Sequence, residues 1–469
     1  MQVPEYDLII IGSGPAGMAA AVTSRGQGLK VLVLDEQPTA GGQIYRNIEH
    51  LELHRNPEFK KLGRDYSEAS GLVKRFKNCG ADYLSGMTVW QIEKELVVRV
   101  VHNSPGQDKK SPLSFKAKKI LIAVGAMERP MPIPGWTLPG VMACTAVDVL
   151  YKSAGIVPKG TVVLAGAGPL LLLIATRLLD AGVKISALLN TNPQNALLKA
   201  LPHLPSALRT PEYLVKGAGM LLKLRTSGVP IHFGIRSIEA QGKENLNRVR
   251  FVSSKGTQTV DADLLLLHQG VVPNVQITRL LGCEHQWYES QRYWEPVLDE
   301  WGNTSVPGIA VAGDCGRVSG SKVSELSGHI AALETARALG ALSESKRDEQ
   351  ASSIRAELKK QQASRPFLDT LFEPQKSWIV PEDEATMVCR CEEVDVGEIR
   401  NTVRLGAHSP DRVKAMIRSG MGFCQGRMCA LTLSEIIADE LKISPADVGY
   451  LRVRSPIKPV TLGQLVSSE

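Results

Sequence analysis

The sequence predicts a chain of the α/β class, with two units of alternating strands and helices followed by a small helical unit. Three observations support this prediction. Residues 6–35 read as strand, glycine turn, helix and strand, and residues 160–190 repeat that pattern. Towards the end of the chain, four of the eight cysteines stand in two close pairs. This concentration of thiols indicates an inorganic site in the third unit.

The composition is that of an ordinary globular protein. At 469 residues the chain is long enough for two or three domains. Its 43% hydrophobic and 22% charged residues are typical of soluble proteins. The formal net charge is +7, but the basic residues are dispersed, and short runs such as KAKK (116–119) lie among apolar residues. The charge therefore indicates a solvated surface rather than a nucleic-acid-binding stripe.

The N-terminal region does not read as a targeting signal. Glu5 and Asp7 precede the first apolar run, and a glycine-rich turn then interrupts that run. The longest apolar stretch, residues 161–176, is shorter than the roughly 20 residues that span a bilayer. We therefore expect a cytoplasmic protein with reduced thiols, and attachment to the inner membrane through an electron acceptor is left open.

The first segment, YDLIIIGSGPAGMAAAVTSRGQGLKVLVLD, carries the glycine fingerprint of a dinucleotide-binding (Rossmann-like) domain. Gly12 permits the tight turn, Gly14 lets the backbone approach a pyrophosphate, and Gly17 lets the helix pack on the strand. The helix N-terminus then offers free N–H groups and a positive dipole end to the phosphates. Asp35 ends the second strand, where an acid can accept ribose hydroxyls, and Glu36 is the adjacent alternative.

Three later stretches favour FAD over NAD as the dinucleotide. PTAGGQIYR (38–46) places a Gly-Gly-Gln turn directly after the acid, where it can lie against a flavin. KKILIAVGAMERP (118–130) and GIAVAGDCG (308–316) are apolar strands that end in glycine turns. Together they resemble the flavoprotein family with two dinucleotide-binding domains that includes thioredoxin reductase and glutathione reductase. In that family the aspartate of the late Gly-Asp pair bonds the flavin ribityl chain, which implies this role for Asp314; a helix N-cap is the alternative.

The second segment, residues 160–190, predicts the same fold with a weaker nucleotide signal. Gly166 and Gly168 are in place, but Leu171 stands at the position of the third glycine. The second strand ends in SALLN, without an acid for a ribose or an arginine for a 2′-phosphate. We therefore expect this domain to be kept for packing, or to hold another nucleotide, rather than to bind NAD(P).

The flavoprotein portion offers no evident catalytic constellation. No CxxC pair stands near either fingerprint, and Cys144 is a single thiol that we expect in the core. His268 and His329 could act as acids or bases, but each lies beside apolar runs, which favours a packing role. The sequence therefore assigns no catalytic residue to this chain.

The pairs Cys389-x-Cys391 and Cys424-x4-Cys429 predict an inorganic site in a small helical domain. They are separated by 32 residues with helical apolar periodicity, and ALTLSEIIADEL (430–441) follows as a further helix. Zinc is one reading, although structural zinc pairs are usually spaced by two to four residues. Four thiolates also hold iron–sulfur clusters, and the spacing resembles the bacterioferritin-associated-ferredoxin type of [2Fe-2S] domain. We favour the cluster.

Motifs along nearly the whole chain resemble one family of flavoproteins. GGQIYR, ERPMPIPGWTLPGVM, LLLLHQGVVPN, CRCEE, CQGRMC and KPVTLGQL are similar to the A (alpha) subunits of heteromeric amine- and amino-acid-oxidising dehydrogenases. This family includes the A subunit of opine oxidase, an FAD subunit of hydrogen cyanide synthase, hydroxyproline and proline dehydrogenase alpha subunits, and part of heterotetrameric sarcosine oxidase. The resemblance implies an electron-relay oxidoreductase subunit whose partner oxidises the C–N bond of an opine or a proline-like amino acid.

The same resemblance implies cofactors and partners. Electrons would pass through FAD and a [2Fe-2S] cluster to a one-electron acceptor, and several relatives carry an FMN at the subunit interface. The partner would be a catalytic beta subunit of the glycine-oxidase type with its own FAD, and a small gamma subunit is left open. No nucleic-acid partner and no transmembrane segment are expected.

The matched motifs also name the residues that would hold these groups. The FAD site would comprise Gly12, Gly14, Pro15, Ala16, Gly17, Asp35, Glu36, Gly42, Gln43, Gly125, Gly313 and Asp314. The cluster ligands would be Cys389, Cys391, Cys424 and Cys429.

The predicted domain order is discontinuous. An FAD-binding domain interrupted by a second nucleotide-binding-like domain would be followed by a helical connector, the [2Fe-2S] domain and an extended tail. The predicted ranges are 1–140 with 268–342, 141–267, 343–385, 386–442 and 443–469. The tail could dock on a partner or on the chain's own surface.

Two rival functions stay open from the sequence alone. A self-sufficient NAD(P)H-dependent FAD/[2Fe-2S] reductase would need a competent second fingerprint, and Leu171 argues against one. A non-enzymatic iron- or redox-sensing or zinc-binding scaffold would fold and bind partners without turnover.

Overall fold

Two mainly parallel sheets, each packed against helices, form most of the protein in the computed structural model. The structure describes residues 3–53, 61–103 and 113–466. The ends of the first and last predicted segments, 1–2 and 467–469, lie outside the described residues. The predicted α/β class with an additional small helical unit is confirmed.

The first sheet has seven strands, and β1 lies between β2 and β6 in parallel register. The apolar run of β1 is buried, as expected for a strand packed on both faces. The chain returns to this sheet late: β19 pairs with the end of β6, where Ile309 lies opposite Ile120. The strands are β1 (Glu5–Ile11), β2 (Val31–Asp35), β3 (Asp82–Ser85), β4 (Met87–Ile92), β5 (Val97–His102), β6 (Leu113–Ile122) and β19 (Ile309–Val311).

The second sheet has five parallel strands in the order β11-β10-β9-β15-β8, and it contains the second glycine fingerprint. The chain passes between the two sheets twice, and the two crossings run antiparallel to each other as the ribbon β7–β16. The strands are β7 (Ala126–Glu128), β8 (Val141–Ala143), β9 (Thr161–Ala167), β10 (Lys184–Asn190), β11 (Ile231–His232), β15 (Leu264–Gln269) and β16 (Val271–Pro273).

Smaller antiparallel units complete the strand inventory of the described residues. The three-stranded sheet β12–β14 shares a hydrophobic core with the second sheet. The hairpin β17–β18 carries the Trp287–Trp294 ring pair. The strands are β12 (Ser237–Gly242), β13 (Leu246–Ser253), β14 (Gly256–Asp261), β17 (His285–Tyr288), β18 (Tyr293–Pro296), β20 (Met387–Cys389) and β21 (Val394–Asp395).

The α-helices of the described residues are numbered in chain order. They are α1 (Pro15–Gly26), α2 (Ile48–Leu53), α3 (Arg64–Glu68), α4 (Ser70–Asn78), α5 (Cys144–Ala154), α6 (Pro169–Asp180), α7 (Ala196–Ala200), α8 (Leu204–Ala207), α9 (Pro211–Thr226), α10 (Gln276–Leu280), α11 (Ser321–Ala338), α12 (Glu344–Gln361), α13 (Arg365–Leu371), α14 (Val396–Arg404), α15 (Pro410–Ile417), α16 (Ala430–Leu441), α17 (Pro445–Val448) and α18 (Leu462–Val466). Within the described ranges, none of them combines the length and the apolar character that a bilayer crossing needs.

Helices α1 and α11 pack closely against each other. Gly328 of α11 makes this approach possible, because a Cβ atom there would lie 2.2 Å from the carbonyl oxygen of Ala16. The pairing places the loop that precedes α11, with Gly313 and Asp314, next to the glycine turn that precedes α1. A Cβ atom on Gly313 would lie 2.9 Å from the Cβ atom of Ala16.

The connector after the first sheet is helical, as the sequence indicates. Helix α12 begins at the Ser343 cap and packs on α11, where Arg347 forms an ion pair with Glu334. Arg347 and Arg355 both stack on the Trp301 ring, each 3.9 Å from its centroid. These contacts hold the connector against the first unit.

The cysteine-bearing unit has a small apolar core of its own. Helix α14 begins with a capping box of Asp395 and Glu398. Val396, Ile399 and Ile436 are buried between α14 and α16. Helix α16 has the predicted bounds, and the strands β20 and β21 form a short ribbon around the first cysteine pair.

Candidate functional site

A cavity of about 1290 Å³ lies between the first sheet, the second sheet and the C-terminal segments. This volume exceeds the ~300–1,000 Å³ of ordinary small-molecule sites, as a dinucleotide requires. The residues that the sequence nominates for FAD line it, except Gly17, which packs behind the turn. The lining ones are Gly12, Gly14, Pro15, Ala16, Asp35, Glu36, Gly42, Gln43, Gly125, Gly313 and Asp314.

The first glycine turn is shaped by close backbone contacts. Gly12 has φ +103°, and a Cβ atom there would lie 2.5 Å from the Ala123 carbonyl oxygen. A Cβ atom on Gly17 would lie 1.9 Å from the Gly12 carbonyl oxygen. A Cβ atom on Gly42 would come 2.9 Å from the Cα atom of Gly14. Glycine is therefore required at all three positions, because any side chain there would collide with neighbouring backbone.

The two acids at the end of β2 have different surroundings. Asp35 is only 7% exposed and accepts hydrogen bonds from the Ser13 N–H at 2.5 Å and the Ser13 hydroxyl at 2.6 Å. It also accepts one from the Gln37 N–H at 2.7 Å. Glu36 is more open and forms an ion pair with Lys458. Asp35 thus fixes the shape of the glycine turn, and Ser13 is a supporting residue that the sequence analysis missed.

Asp314 orders the loop before α11 but does not cap that helix, whose N-cap position is Gly320. Its Oδ1 atom accepts hydrogen bonds from the Ser319 and Gly320 N–H groups, at 2.9 and 3.0 Å, and from the Ser324 hydroxyl at 3.2 Å. These bonds order the loop that leads into α11. The residue also lines the cavity, so the loop that it orders forms part of the cavity wall.

Buried polar atoms without hydrogen-bond partners mark the cavity as a polar ligand site. They are Arg46 Nε, Arg177 Nε, Asn274 Oδ1 and Gln276 Oε1, and all four residues line the cavity. Buried polar groups in folded proteins are almost always paired. An FAD molecule, which carries many donors and acceptors, fits these unpaired atoms.

A buried charged group lies at one side of the cavity. Asp148 pairs with Lys152 at 2.5 Å and with Arg177 at 2.8 Å, and Lys152 also donates to the Gln43 carbonyl oxygen at 3.3 Å. Burial lowers the pKa of Lys152 to about 8. Burial opposes ionisation of Asp148, but the two ion pairs exceed this effect and lower its pKa. The Asp148–Lys152 spacing of four residues on a helix was the sequence signal that could have revealed this group.

The second fingerprint keeps its turn but not its nucleotide features. Gly166 has φ +145°, and a Cβ atom there would lie 1.8 Å from the His268 carbonyl oxygen. Leu171, at the third glycine position, is 1% exposed and packs in the core of this sheet. The Asn190 side chain at the end of β10 accepts a hydrogen bond from the Asn192 N–H at 2.9 Å.

The two histidines considered as acids or bases are both hydrogen-bonded within the protein. His268 is 1% exposed and its Nδ1 atom bonds the Glu128 carboxylate, which also accepts from the Thr145 N–H. His329 Nδ1 bonds the Thr23 hydroxyl at 2.6 Å. Cys144 is fully buried, as expected, and burial raises the pKa of its thiol well above the ordinary value.

The four C-terminal cysteines form two thiol–thiol contacts. The Cys429 thiol donates to the Cys389 sulfur, which lowers the pKa of Cys389 to about 5 and raises that of Cys429. Cys391 is hydrogen-bonded to Cys424. Gly422 allows the second contact, because a Cβ atom on it would lie 2.1 Å from the Cys391 Cβ atom.

This donor set of four thiols fits a [2Fe-2S] cluster, which four thiolates hold. Backbone N–H groups of Gly420, Cys391 and Glu392 also point at the Cys389 sulfur, as they do around anionic sulfurs. Cys389, Cys391, Cys424 and Cys429 would hold the cluster as thiolates.

The cysteine loop reaches the cavity directly. Arg427 lies in the loop and lines the cavity, and it donates to the carbonyl oxygens of Cys424 at 3.0 Å and of Ile457 at 2.7 Å. Ile457 and Lys458 of the tail line the cavity as well. The tail therefore docks on the chain's own surface, one of the two alternatives from the sequence. No sequence motif indicates Arg427 or Lys458 as cavity residues.

Comparison with protein families identifies the two parts of the chain. Residues 6–339 match the pyridine nucleotide-disulphide oxidoreductase family. Residues 387–439 match the BFD-like [2Fe-2S] binding domain. These families imply FAD in the first part and an iron–sulfur cluster in the second.

Individual relatives extend the match over the whole chain. The A subunit of opine oxidase from Agrobacterium tumefaciens (strain Ach5) is 42% identical over 98% of this chain and 91% of the relative. Hydrogen cyanide synthase subunit HcnB of Pseudomonas aeruginosa is 29% identical over 96% of both chains. The names of both relatives are those of subunits of larger enzymes.

The fold has a solved counterpart. The crystal structure of L-proline dehydrogenase from P. horikoshii aligns with 99% of this chain and 81% of its own, with a TM-score of 0.71 at 19% identity. At that identity the match concerns the fold. From these matches, the chain is a pyridine nucleotide-disulphide oxidoreductase family member with a C-terminal BFD-like [2Fe-2S] domain, and it belongs to the family of opine oxidase A subunits.

Proposed function

We propose that this chain is the electron-relay flavoprotein subunit of a heteromeric dehydrogenase that oxidises the C–N bond of an opine or a proline-like amino acid. The observation that carries this proposal is the 42% identity with the A subunit of opine oxidase over 98% of the chain. The oxidation itself takes place in a partner subunit of the glycine-oxidase type that carries its own FAD.

The side chains that the structure describes support an electron-relay role. The two histidines considered as acids or bases, His268 beside the second glycine turn and His329 on α11, are both engaged in hydrogen bonds within the protein. The cavity instead provides residues that would bind and orient FAD, and the two thiol pairs would hold a cluster. When bound, a flavin accepts two electrons and a cluster passes one at a time, which suits transfer to a one-electron acceptor.

The contact between the cysteine loop and the cavity supports the same role. Arg427 joins the loop to the cavity wall, and Gln276 reaches from the cavity to the Gln425 carbonyl oxygen at 3.5 Å. A flavin and a cluster held at these two places would be neighbours without an intervening domain. We also propose two further components of the complex, an FMN where the subunits meet and a small gamma subunit.

The first experiment is anaerobic addition of NADH, and then NADPH, to the purified chain while the flavin absorbance is followed. We expect no bleaching with either nucleotide and full reduction of flavin and cluster by dithionite. Rapid bleaching by a nicotinamide would replace the proposal by a self-sufficient reductase, since the second fingerprint would then be competent.

The second experiment tests the partner and the donor. The tagged chain is expressed in its native host, and the co-purifying flavoprotein is identified and added to the pure chain. Octopine, nopaline, proline and hydroxyproline are tested as donors, with glycine and sarcosine as comparison amines. We expect an opine or a proline-like donor to reduce the cluster only when both chains are present. A complex that shows no turnover with any of these amines would favour the scaffold reading.

A further inference from the structure

We propose that Arg427 and Lys458, both from the C-terminal part of the chain, are FAD-binding residues, so that cofactor retention and the cluster-bearing loop depend on each other. The inference concerns residues outside the nucleotide fingerprint, and it rests on the assignment of the cavity to FAD that the proposed function shares.

Arg427 brings a positive charge into the cavity wall. Its guanidinium donates to two backbone carbonyl oxygens, those of Cys424 and Ile457. Among the residues that the structure describes, no acid lies within ion-pair distance of it. A cation in the cavity wall whose own hydrogen bonds go to backbone carbonyl oxygens can also bind an anionic ligand, and the FAD pyrophosphate is one.

Lys458 is held at the cavity by the tail segment around it. The neighbouring Ile457 is 1% exposed, packs in the core of the first sheet, and donates its N–H to the Trp90 carbonyl oxygen at 3.0 Å. Lys458 then pairs with Glu36 at the end of β2, where the fingerprint places a ribose. The tail therefore supplies a cation beside the acid that would face the cofactor.

Gln276 is a second contact between the cavity wall and the cysteine loop. Its side chain is 3% exposed, its Nε2 atom points to the Gln425 carbonyl oxygen, and its Oε1 atom has no partner. Gln425 directly follows Cys424, so a ligand that bonds Gln276 and Arg427 would restrain the cysteine loop at two points. By linkage, a cofactor that orders this loop stabilises the cluster, and the cluster strengthens cofactor binding by the same factor.

The test measures FAD affinity rather than activity. The full chain is stripped of FAD and titrated with it while quenching of flavin fluorescence is followed, for wild type, Arg427→Met, Arg427→Lys and Lys458→Met. Arg412→Gln, an exposed arginine of α15, is the matched control. We expect Arg427→Met and Lys458→Met each to raise the dissociation constant about tenfold, Arg427→Lys to recover most of the affinity, and the control to match wild type.

A second measurement tests the link to the cluster. Saturating FAD should slow the loss of the visible cluster absorbance to a chelator in wild type, and this protection should disappear in Arg427→Met. If wild type binds FAD and all variants bind it equally, this inference fails while the FAD assignment stands. If Arg427→Lys binds as poorly as Arg427→Met, Arg427 acts by shape alone and the inference also fails. If wild type takes up no FAD, the assignment of the cavity fails as well.

Discussion

Arg292 and Glu435 form an ion pair through two hydrogen bonds, Nε to Oε1 at 2.9 Å and Nη2 to Oε2 at 2.5 Å. Arg292 precedes β18, whereas Glu435 lies on α16 of the cysteine-bearing unit and is fully buried. Arg129 lies close by, is 2% exposed, and donates only to backbone carbonyl oxygens. Glu435 is therefore the anion that compensates two guanidinium groups where the two units meet.

Removing that anion should loosen the contact between the units. We expect Glu435→Gln to lower the free energy of unfolding by about 3–5 kcal/mol, because the buried Arg129 and the partly buried Arg292 lose a counter-charge. The matched control is Glu440→Gln on the same helix, which breaks a surface pair with Arg404 and should cost less than about 1 kcal/mol. Urea unfolding followed by tryptophan fluorescence compares the two, and equal losses would contradict the role assigned to Glu435.

Two glycines of α1 make a second matched pair. Gly17→Ala should abolish FAD binding and destabilise the chain by about 1–3 kcal/mol, since its Cβ atom would lie 1.9 Å from the Gly12 carbonyl oxygen. Gly26→Ala meets no atom within 4 Å and should leave flavin content unchanged. Flavin content of the purified variants is the measurement. Normal FAD content in Gly17→Ala would show that the turn tolerates displacement.

The two cysteine pairs can be tested by metal content. Cys424→Ser should lose iron, sulfide and the visible cluster absorbance while FAD remains detectable. Cys283→Ser, a buried thiol in the core of the first sheet, should keep all of them. Elemental analysis of wild type should give two irons with acid-labile sulfide. One zinc per chain without sulfide would support the structural zinc reading instead.

The lowered pKa of Lys152 predicts that the free energy of unfolding increases at alkaline pH. Its pKa in the folded chain, about 8, lies below the value of about 10.4 for an unfolded lysine, so the folded state releases this proton first. The unfolded state therefore binds more protons between these two pKa values, and the free energy of unfolding should increase across this window by about 3 kcal/mol. Lys152→Met should lack the increase and the exposed Lys199→Met should retain it, as urea unfolding between pH 7.5 and 10.5 would show. A Lys152→Met profile identical to wild type would refute the assignment.

Patterns among residues that are neighbours in the chain predict much of the fold. The first glycine fingerprint needs only residues that are neighbours in the chain, and the apolar periodicity of α16 is likewise a local pattern that predicts the helix. The role of Asp35 could not be predicted from the sequence. Its carboxylate accepts hydrogen bonds from Ser13, and no local pattern shows which turn an acid at a strand end will contact. For the same reason, the positions of Lys458 and Arg427 in the cavity wall could not be predicted from the sequence. The Glu36–Lys458 pair joins residues that are distant in the chain, and only the docked tail brings them together.

The late return of the chain to the first sheet has a consequence for synthesis on the ribosome. The C-terminal half of β6 gains its second neighbour only when β19 has been made, after the whole second sheet. At ~5–20 residues per second, that half of β6 presents an open, apolar edge for roughly ten to forty seconds. An unpaired strand edge is a template for wrong pairing with other chains. Folding of the intervening unit, which brings Ile309 back to Ile120, closes this edge.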